Sequence, residues 1–137
     1  ALGDLPRGTR LQLEAARVAA GQLRYGVDMT SANIPLEAGL KDRAISFTKG
    51  CYIGQEVICR IDSLGKPART LVRLEVQGTS PPPGTELLRE GKAVGWVTSA
   101  LPTADGATAF GYVKKKNHDP GTVLELAGGA ATVGEPL

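Results

Sequence analysis

The segment KGCYIGQE, residues 49–56, places a cysteine and a lysine immediately before an amphipathic stretch. A helix N-terminus has unpaired backbone N–H groups and the positive end of the helix dipole, and both favour a nearby anion. With Lys49 two residues away, such a start favours the thiolate of Cys51, which is the nucleophilic and metal-binding form of cysteine. The pattern therefore indicates a reactive sulfur. The alternative, that Cys51 is a small buried apolar side chain, is the commoner role of a free cysteine and stays open.

The other candidate residues for metal or catalytic chemistry are weaker. Cys59 falls among apolar residues of the same stretch and is predicted to pack, and its distance from Cys51 along the chain is not the C-x-x-C spacing of redox pairs and zinc sites. The single histidine, His118, lies in the turn-like segment NHDPG without a second histidine or a cysteine nearby. The sequence therefore predicts no metal site, and it contains no phosphate-binding loop motif.

Two helices are predicted in the first half of the chain. One starts at Thr9, where Gln12 has the spacing of a capping box, and it ends near residue 21. The other runs from Ile53 to Leu64, because apolar residues recur there at helical spacing on one face. Between the two helices, residues 21–40 contain glycine and proline too often for a regular element, so a structured loop is predicted.

From residue 69 onward the apolar period changes from 3.6 to 2, beginning with the alternation in TLVRLEVQ. Further short strands are predicted at residues 86–89, 93–99, 109–113, 123–126 and 131–133. The predicted fold class is therefore α+β. Residues 1–67 would form an α+β segment with the KGCYIGQE motif, and residues 68–137 a small antiparallel β-barrel. Trp96 is predicted to lie in the barrel core, with a partner-binding surface as the alternative.

Charge and composition limit the range of partners. The 137 residues have a formal net charge of +2, and no apolar run approaches the roughly 20 residues that span a bilayer, so no membrane is predicted as a partner. The chain has few aromatic residues for base stacking, so the run from Lys114 to Lys116 is better explained as protection of an exposed strand than as a nucleic-acid site. No signal-peptide pattern opens the sequence, and two cysteines are too few for a disulfide framework, so we expect a cytoplasmic protein.

The KGCYIGQE segment resembles the signature of the YgfZ-type folate-binding proteins, which are relatives of the T-protein of the glycine cleavage system, an aminomethyltransferase. RYGVDM and IPLEAGL resemble further stretches of that superfamily, and GWVTSA, FGYVKK and PGTVLEL resemble its C-terminal barrel. The resemblance implies a tetrahydrofolate-binding protein that supports assembly or repair of iron–sulfur clusters, with iron–sulfur client proteins as partners. The alternative is an aminomethyltransferase. Cys51 favours the first, since T-proteins typically have an acidic or other residue at its position.

The resemblance also implies roles for individual residues. It assigns the chemistry to Cys51, with Lys49 as its electrostatic partner or as an anion contact. The remaining residues of the motif that it places at the folate site are Tyr52, Gln55, Glu56 and Arg60.

The loop before the motif offers further folate contacts. A fixed carboxylate at Glu37 or Asp28 could accept the pteridine N–H groups, and Arg24 or Lys41 could bind the carboxylates of the glutamyl tail. For Glu37 and Asp28 a loop-stabilising role is the alternative. The superfamily's folate site also draws on earlier segments that this sequence lacks. Either the chain is the C-terminal part of a longer protein, which we favour, or it needs a partner to complete the pocket. We expect it to bind folate poorly alone.

Overall fold

The computed structural model describes residues 8–65 and 67–137. Residues 1–7 and Lys66 lie outside the described residues. Both belong to the predicted segment of residues 1–67. The helices are α1 (Arg10–Ala19), α2 (Lys41–Ala44) and α3 (Gln55–Ser63), and a 3₁₀ turn spans Lys115–Asn117. The strands are β1 (Arg69–Gly78), β2 (Glu86–Arg89), β3 (Lys92–Thr103), β4 (Gly106–Lys114), β5 (Val123–Leu126) and β6 (Gly129–Pro136). Among the described helices, none is long and apolar enough to cross a membrane.

Helix α1 starts at the predicted capping box. The Thr9 hydroxyl accepts a hydrogen bond from the Gln12 backbone N–H at 3.2 Å, and the Gln12 side-chain oxygen accepts one from the Thr9 N–H at 2.8 Å. These two bonds satisfy N–H groups that have no partner within the helix. At the other end, α1 stops two residues before Gly21, and Val18 is its buried contact with the barrel.

The six strands form a closed antiparallel barrel in the order β1-β4-β3-β2-β5-β6, which confirms the predicted barrel. Alternate residues of the strands point inward, as the period of two requires. Strands β3 and β4 are longer than predicted because they continue to a two-residue turn, Ala104–Asp105, where turn-like composition had suggested an earlier end. The residues that fill the interior are Val72, Leu74, Val76, Leu87, Val94, Val97, Ala107, Ala109, Val113, Leu124, Leu126, Ala131 and Val133.

A second apolar cluster lies on the outer face of the barrel, beneath α1. Its buried members are Val18, Leu71, Phe110 and Tyr112, and Trp96 packs against them while remaining partly exposed. The prediction that Trp96 lies in the barrel core is therefore wrong. Trp96 pairs with Tyr112 across β3 and β4, and the bulk of its ring is accommodated on the outer face, with ring centroids 5.1 Å apart.

The loop of residues 21–40 is fastened to the same outer face. The Leu71 N–H donates to the Glu37 carbonyl at 2.7 Å, and the Leu137 N–H donates to the Leu71 carbonyl at 3.3 Å. Gly39 has a φ of +69°, and a Cβ at this position would lie 1.7 Å from the Leu137 carbonyl oxygen. The loop and the C-terminal residue therefore meet at a contact that only glycine permits.

Candidate functional site

The loop before α3 presents Cys51 to solvent. Helix α3 begins at Gln55, with Gly54 as a left-handed N-cap, so its start is two residues later than predicted. Cys51 is exposed and lies three residues before the N-cap. The helix dipole acts over about one turn, so Cys51 lies at the limit of its influence. The structure shows that Cys51 is accessible to solvent. Cys59 is also free and is half-buried within α3.

Tyr52 organises the motif loop. Its backbone N–H donates to the Gln55 side-chain oxygen at 3.2 Å, and the Gln55 N–H donates back to the Tyr52 carbonyl at 3.2 Å. The Lys49 ammonium lies 4.8 Å from the centroid of the Tyr52 ring, a cation–π distance. The Tyr52 hydroxyl is buried and has no hydrogen-bond partner among the described residues. The loop is thus ordered by local contacts, and one polar group within it is left to be satisfied.

The solvent-facing side of α3 carries both polar and apolar side chains. Glu56 and Arg60, both predicted folate contacts, are exposed on this helix. Ile53 is 105% exposed and Val57 is 55% exposed, so the apolar face predicted for the helix is only partly covered. The cavities described below are lined by none of the motif residues from Lys49 to Glu56, and not by Arg60. Within the described residues, the predicted folate residues of the motif therefore do not meet around either of these cavities.

Glu37, the remaining predicted folate residue, is buried and fixed. One of its carboxylate oxygens accepts from Arg69 Nε at 3.1 Å, and the other accepts from the Ile34 N–H at 3.3 Å. The two cations considered for a folate tail are also engaged, since Arg24 pairs with Glu14 and Lys41 pairs with the carboxylate of Asp62 in α3. The contacts of Glu37 are those of the loop-stabilising alternative.

Asp28 accepts four hydrogen bonds, two of which join the loop to strand β3 of the barrel. It is 1% exposed, and its Oδ2 accepts from Arg17 at 2.6 Å and from the Arg24 N–H at 3.0 Å. Its Oδ1 accepts from the hydroxyls of Thr98 at 2.8 Å and Ser99 at 2.6 Å. A β-bulge in β3 allows these two consecutive hydroxyls to reach one oxygen. Asp28 therefore holds the loop on the barrel.

A cluster that the sequence did not reveal lies next to these contacts and consists of Arg69, Trp96 and Tyr112, on β1, β3 and β4. The Arg69 guanidinium carbon is 5.1 Å from the Trp96 ring centroid and 5.6 Å from that of Tyr112. Burial, together with the nearby Glu37 carboxylate, raises the pKa of Tyr112 to about 12, although Arg69 acts in the opposite direction. The phenol is therefore protonated at neutral pH and is a hydrogen-bond donor.

Two cavities share this cluster. One, of about 310 Å³, continues along the barrel to Lys114 and Glu86. The other, of about 260 Å³, extends beneath the loop to Asp28. Alternation along β1 and β4 could have placed Arg69 and Tyr112 on one face, but only the strand order of the barrel makes them neighbours of Trp96. Within residues 8–65 and 67–137, no group of three or more histidine, cysteine or acidic residues could hold a metal ion.

Known proteins resemble both the sequence and the fold. Residues 69–133 match the family model of the glycine cleavage T-protein C-terminal barrel domain. An aminomethyltransferase of Nostoc sp. is 35% identical over 127 residues, which cover 90% of this chain and 33% of that protein. The dimethylsulfoniopropionate demethylase DmdA of Ruegeria pomeroyi is 37% identical over 114 residues, covering 80% of this chain and 30% of the demethylase.

A solved structure agrees with these sequence matches. The crystal structure of the glycine cleavage system aminomethyltransferase T from Bartonella henselae superposes with a TM-score of 0.78 at 26% identity, over 89% of this chain and 36% of that structure. The chain thus spans about one third of the length of the relatives it matches. Residues 69–133 match the glycine cleavage T-protein C-terminal barrel domain and have its barrel fold, and the chain is similar to the C-terminal part of proteins of the T-protein superfamily.

Proposed function

We propose that the chain supplies the C-terminal part of a tetrahydrofolate-dependent cytoplasmic protein that supports assembly or repair of iron–sulfur enzymes. The observation that carries the proposal is Cys51, which is exposed on an ordered loop within a segment resembling the YgfZ-type signature. An accessible sulfur can contact a client protein or a cluster, whereas a buried one cannot. Lys49, which is also exposed, supplies a positive charge on the same loop.

The residues of this chain fit folate only in part. The Tyr52 hydroxyl has no hydrogen-bond partner in the part of the chain that the structure describes, and Glu56 and Arg60 are exposed polar groups on one helix. Because these residues do not enclose a cavity, a pteridine would have to be held by further polypeptide in addition to them. The coverage of one third of the relatives supports a pocket completed by segments outside this chain.

The second candidate is an aminomethyltransferase-like enzyme that transfers a one-carbon unit to tetrahydrofolate. It is favoured by the Nostoc relative, which is named an aminomethyltransferase, and by the similarity to the Bartonella structure. Both candidates use the same superfamily fold. They differ in whether the exposed Cys51 is needed for function.

A gene deletion separates the two candidates. The activity of an iron–sulfur enzyme and the formation of a one-carbon derivative of tetrahydrofolate from an aminomethyl donor are measured in extracts of the deletion strain. The proposed function predicts that the first activity falls and returns when the complete gene is restored, while the second is unchanged. A loss of aminomethyl transfer with normal iron–sulfur enzyme activity would establish the second candidate instead.

A further inference from the structure

We propose that Arg69, Trp96 and Tyr112 form a binding site for a small carboxylate-bearing molecule. The three side chains line both the cavity of about 310 Å³ and the cavity of about 260 Å³ on the outer face of the barrel. Ligand cavities are commonly about 300–1,000 Å³, so the larger of the two is at the lower end of that range. Its size suits a small molecule.

The Tyr112 hydroxyl is the strongest sign of a ligand. The residue is 1% exposed, and its oxygen has no hydrogen-bond partner among the described residues. Buried polar groups are almost always hydrogen-bonded, because an unpaired one loses its water without compensation. A protonated phenol can donate a hydrogen bond, so an acceptor placed against this hydroxyl would satisfy it. A carboxylate oxygen is such an acceptor.

Arg69 adds further donors beside the phenol. Its Nε donates to Glu37, and in the part of the chain that the structure describes no hydrogen-bond partner is found for its two terminal nitrogens. The planar guanidinium of arginine binds a carboxylate through two parallel hydrogen bonds when an edge is open. Glu37 holds the guanidinium by Nε over the rings of Trp96 and Tyr112. The arginine is thereby oriented before a ligand arrives.

The charges around the larger cavity explain why a small acid fits better than a polyanion. Lys114 and Arg69 are positive, and Glu86 in the wall and Glu37 behind Arg69 are negative. These charges balance, so recognition depends on directed hydrogen bonds and not on general attraction of anions. The partly exposed Trp96 ring offers an apolar surface for the body of the ligand.

Two sources of the carboxylate are chemically possible. It could belong to a free small organic acid, or to the glutamyl tail of a folate, in which case the site deepens the proposed function. The existence of the site does not depend on that function. The two are tested separately, since the site is assayed by binding to this chain and the function by iron–sulfur enzyme activity.

The test is a titration of the 137-residue chain with glutarate. Trp96 is the chain's only tryptophan, so its fluorescence reports on this site directly. We expect a saturable change in the millimolar range. Calorimetry with p-aminobenzoylglutamate then distinguishes the sources: binding at least tenfold tighter than that of glutarate indicates a folate tail, and equal binding indicates a free acid.

Four variants test the assignment. Tyr112→Phe removes only the phenol oxygen. Arg69→Lys keeps the positive charge but removes the planar guanidinium that can donate two parallel hydrogen bonds. Each should weaken glutarate binding about tenfold or more, as expected for a lost hydrogen bond to a charged group. The matched controls Tyr25→Phe and Arg89→Lys, on residues that line neither cavity, should leave the dissociation constant within twofold. Circular dichroism verifies folding of each variant.

Two results would overturn the proposal. The first is the absence of saturable glutarate binding to the wild-type chain, which would mean that water satisfies the Tyr112 hydroxyl. The second is binding that is equally strong for inorganic phosphate and unchanged in both Tyr112→Phe and Arg69→Lys, which would mean a general response to anions.

Discussion

Replacing Asp28 by asparagine should loosen the attachment of the loop to the barrel. The substitution keeps the size of the side chain but removes its charge and turns one oxygen into an N–H₂ group. If that group faces Arg17 and the Arg24 N–H, it meets two donors and both hydrogen bonds are lost. If it faces Thr98 and Ser99, their hydroxyls can reorient to accept from it. In either orientation the buried ion pair with Arg17 is broken.

The expected loss of stability is about 3 kcal/mol. Removing one partner of a buried ion pair costs about 3–5 kcal/mol, because the other charge is left uncompensated. The Asp28 side chain is fully buried and that of Arg17 is 10% exposed, so solvent screens the pair little. Arg17 retains Glu14 at 2.9 Å, which places the estimate at the lower end. A chain of this length has a total stability of about 7–20 kcal/mol, so the variant should still fold.

Urea unfolding followed by Trp96 fluorescence and by circular dichroism measures this loss. The midpoint should fall while the slope stays constant, as for a change in stability alone. Asp28→Asn combined with Arg17→Met should recover part of the loss, because no unpaired buried charge remains. A loss below about 1 kcal/mol for Asp28→Asn, or purely additive effects in the double variant, would refute the structural role given to this pair.

Three further predictions concern other parts of the chain. Between pH 10 and pH 12 the free energy of unfolding should fall by up to about 2–3 kcal/mol, because Tyr112 loses its proton near pH 10 in the unfolded chain but has a pKa of about 12 in the folded chain. Urea unfolding at a series of pH values measures this fall, and Tyr112→Phe should lack the part that Tyr112 contributes. Gly39→Ala should lower the stability measured by thermal unfolding by about 2–4 kcal/mol, because φ is positive there and the new Cβ would clash with the Leu137 carbonyl. Gly26→Ala should lower it by only about 1–2 kcal/mol, because φ is also positive but no atom lies near the new Cβ. Iodoacetamide should modify exposed Cys51 faster than half-buried Cys59 in the native chain, as followed by mass spectrometry, and equal rates would contradict the description of the loop.

Local signals predicted the regular elements well. The capping box at Thr9 was sufficient to position the start of α1, because both of its bonds lie within four residues. The alternation of apolar residues predicted six strands, and the barrel that they form is observed. The start of α3 was predicted too early, since Ile53 continues the apolar pattern but Gly54 adopts a left-handed conformation that ends the loop there.

The cluster on the outer face could not be predicted in the same way. Arg69, Trp96 and Tyr112 belong to three strands, and they become neighbours only because β4 pairs with both β1 and β3. The expectation that Trp96 faces the core failed because alternation does not say which of two covered faces a residue occupies. The β-bulge that brings Thr98 and Ser99 to Asp28 also interrupts the alternation on which the prediction depended.

The proposal that Cys51 carries the function is tested most directly by rescue of a deletion strain. The complete gene is supplied as wild type, as Cys51→Ala or as the control Cys59→Ala, and the activity of an iron–sulfur enzyme is measured at matched protein levels. The account predicts that Cys59→Ala restores the activity and that Cys51→Ala does not. Equal restoration by Cys51→Ala and wild type would contradict it.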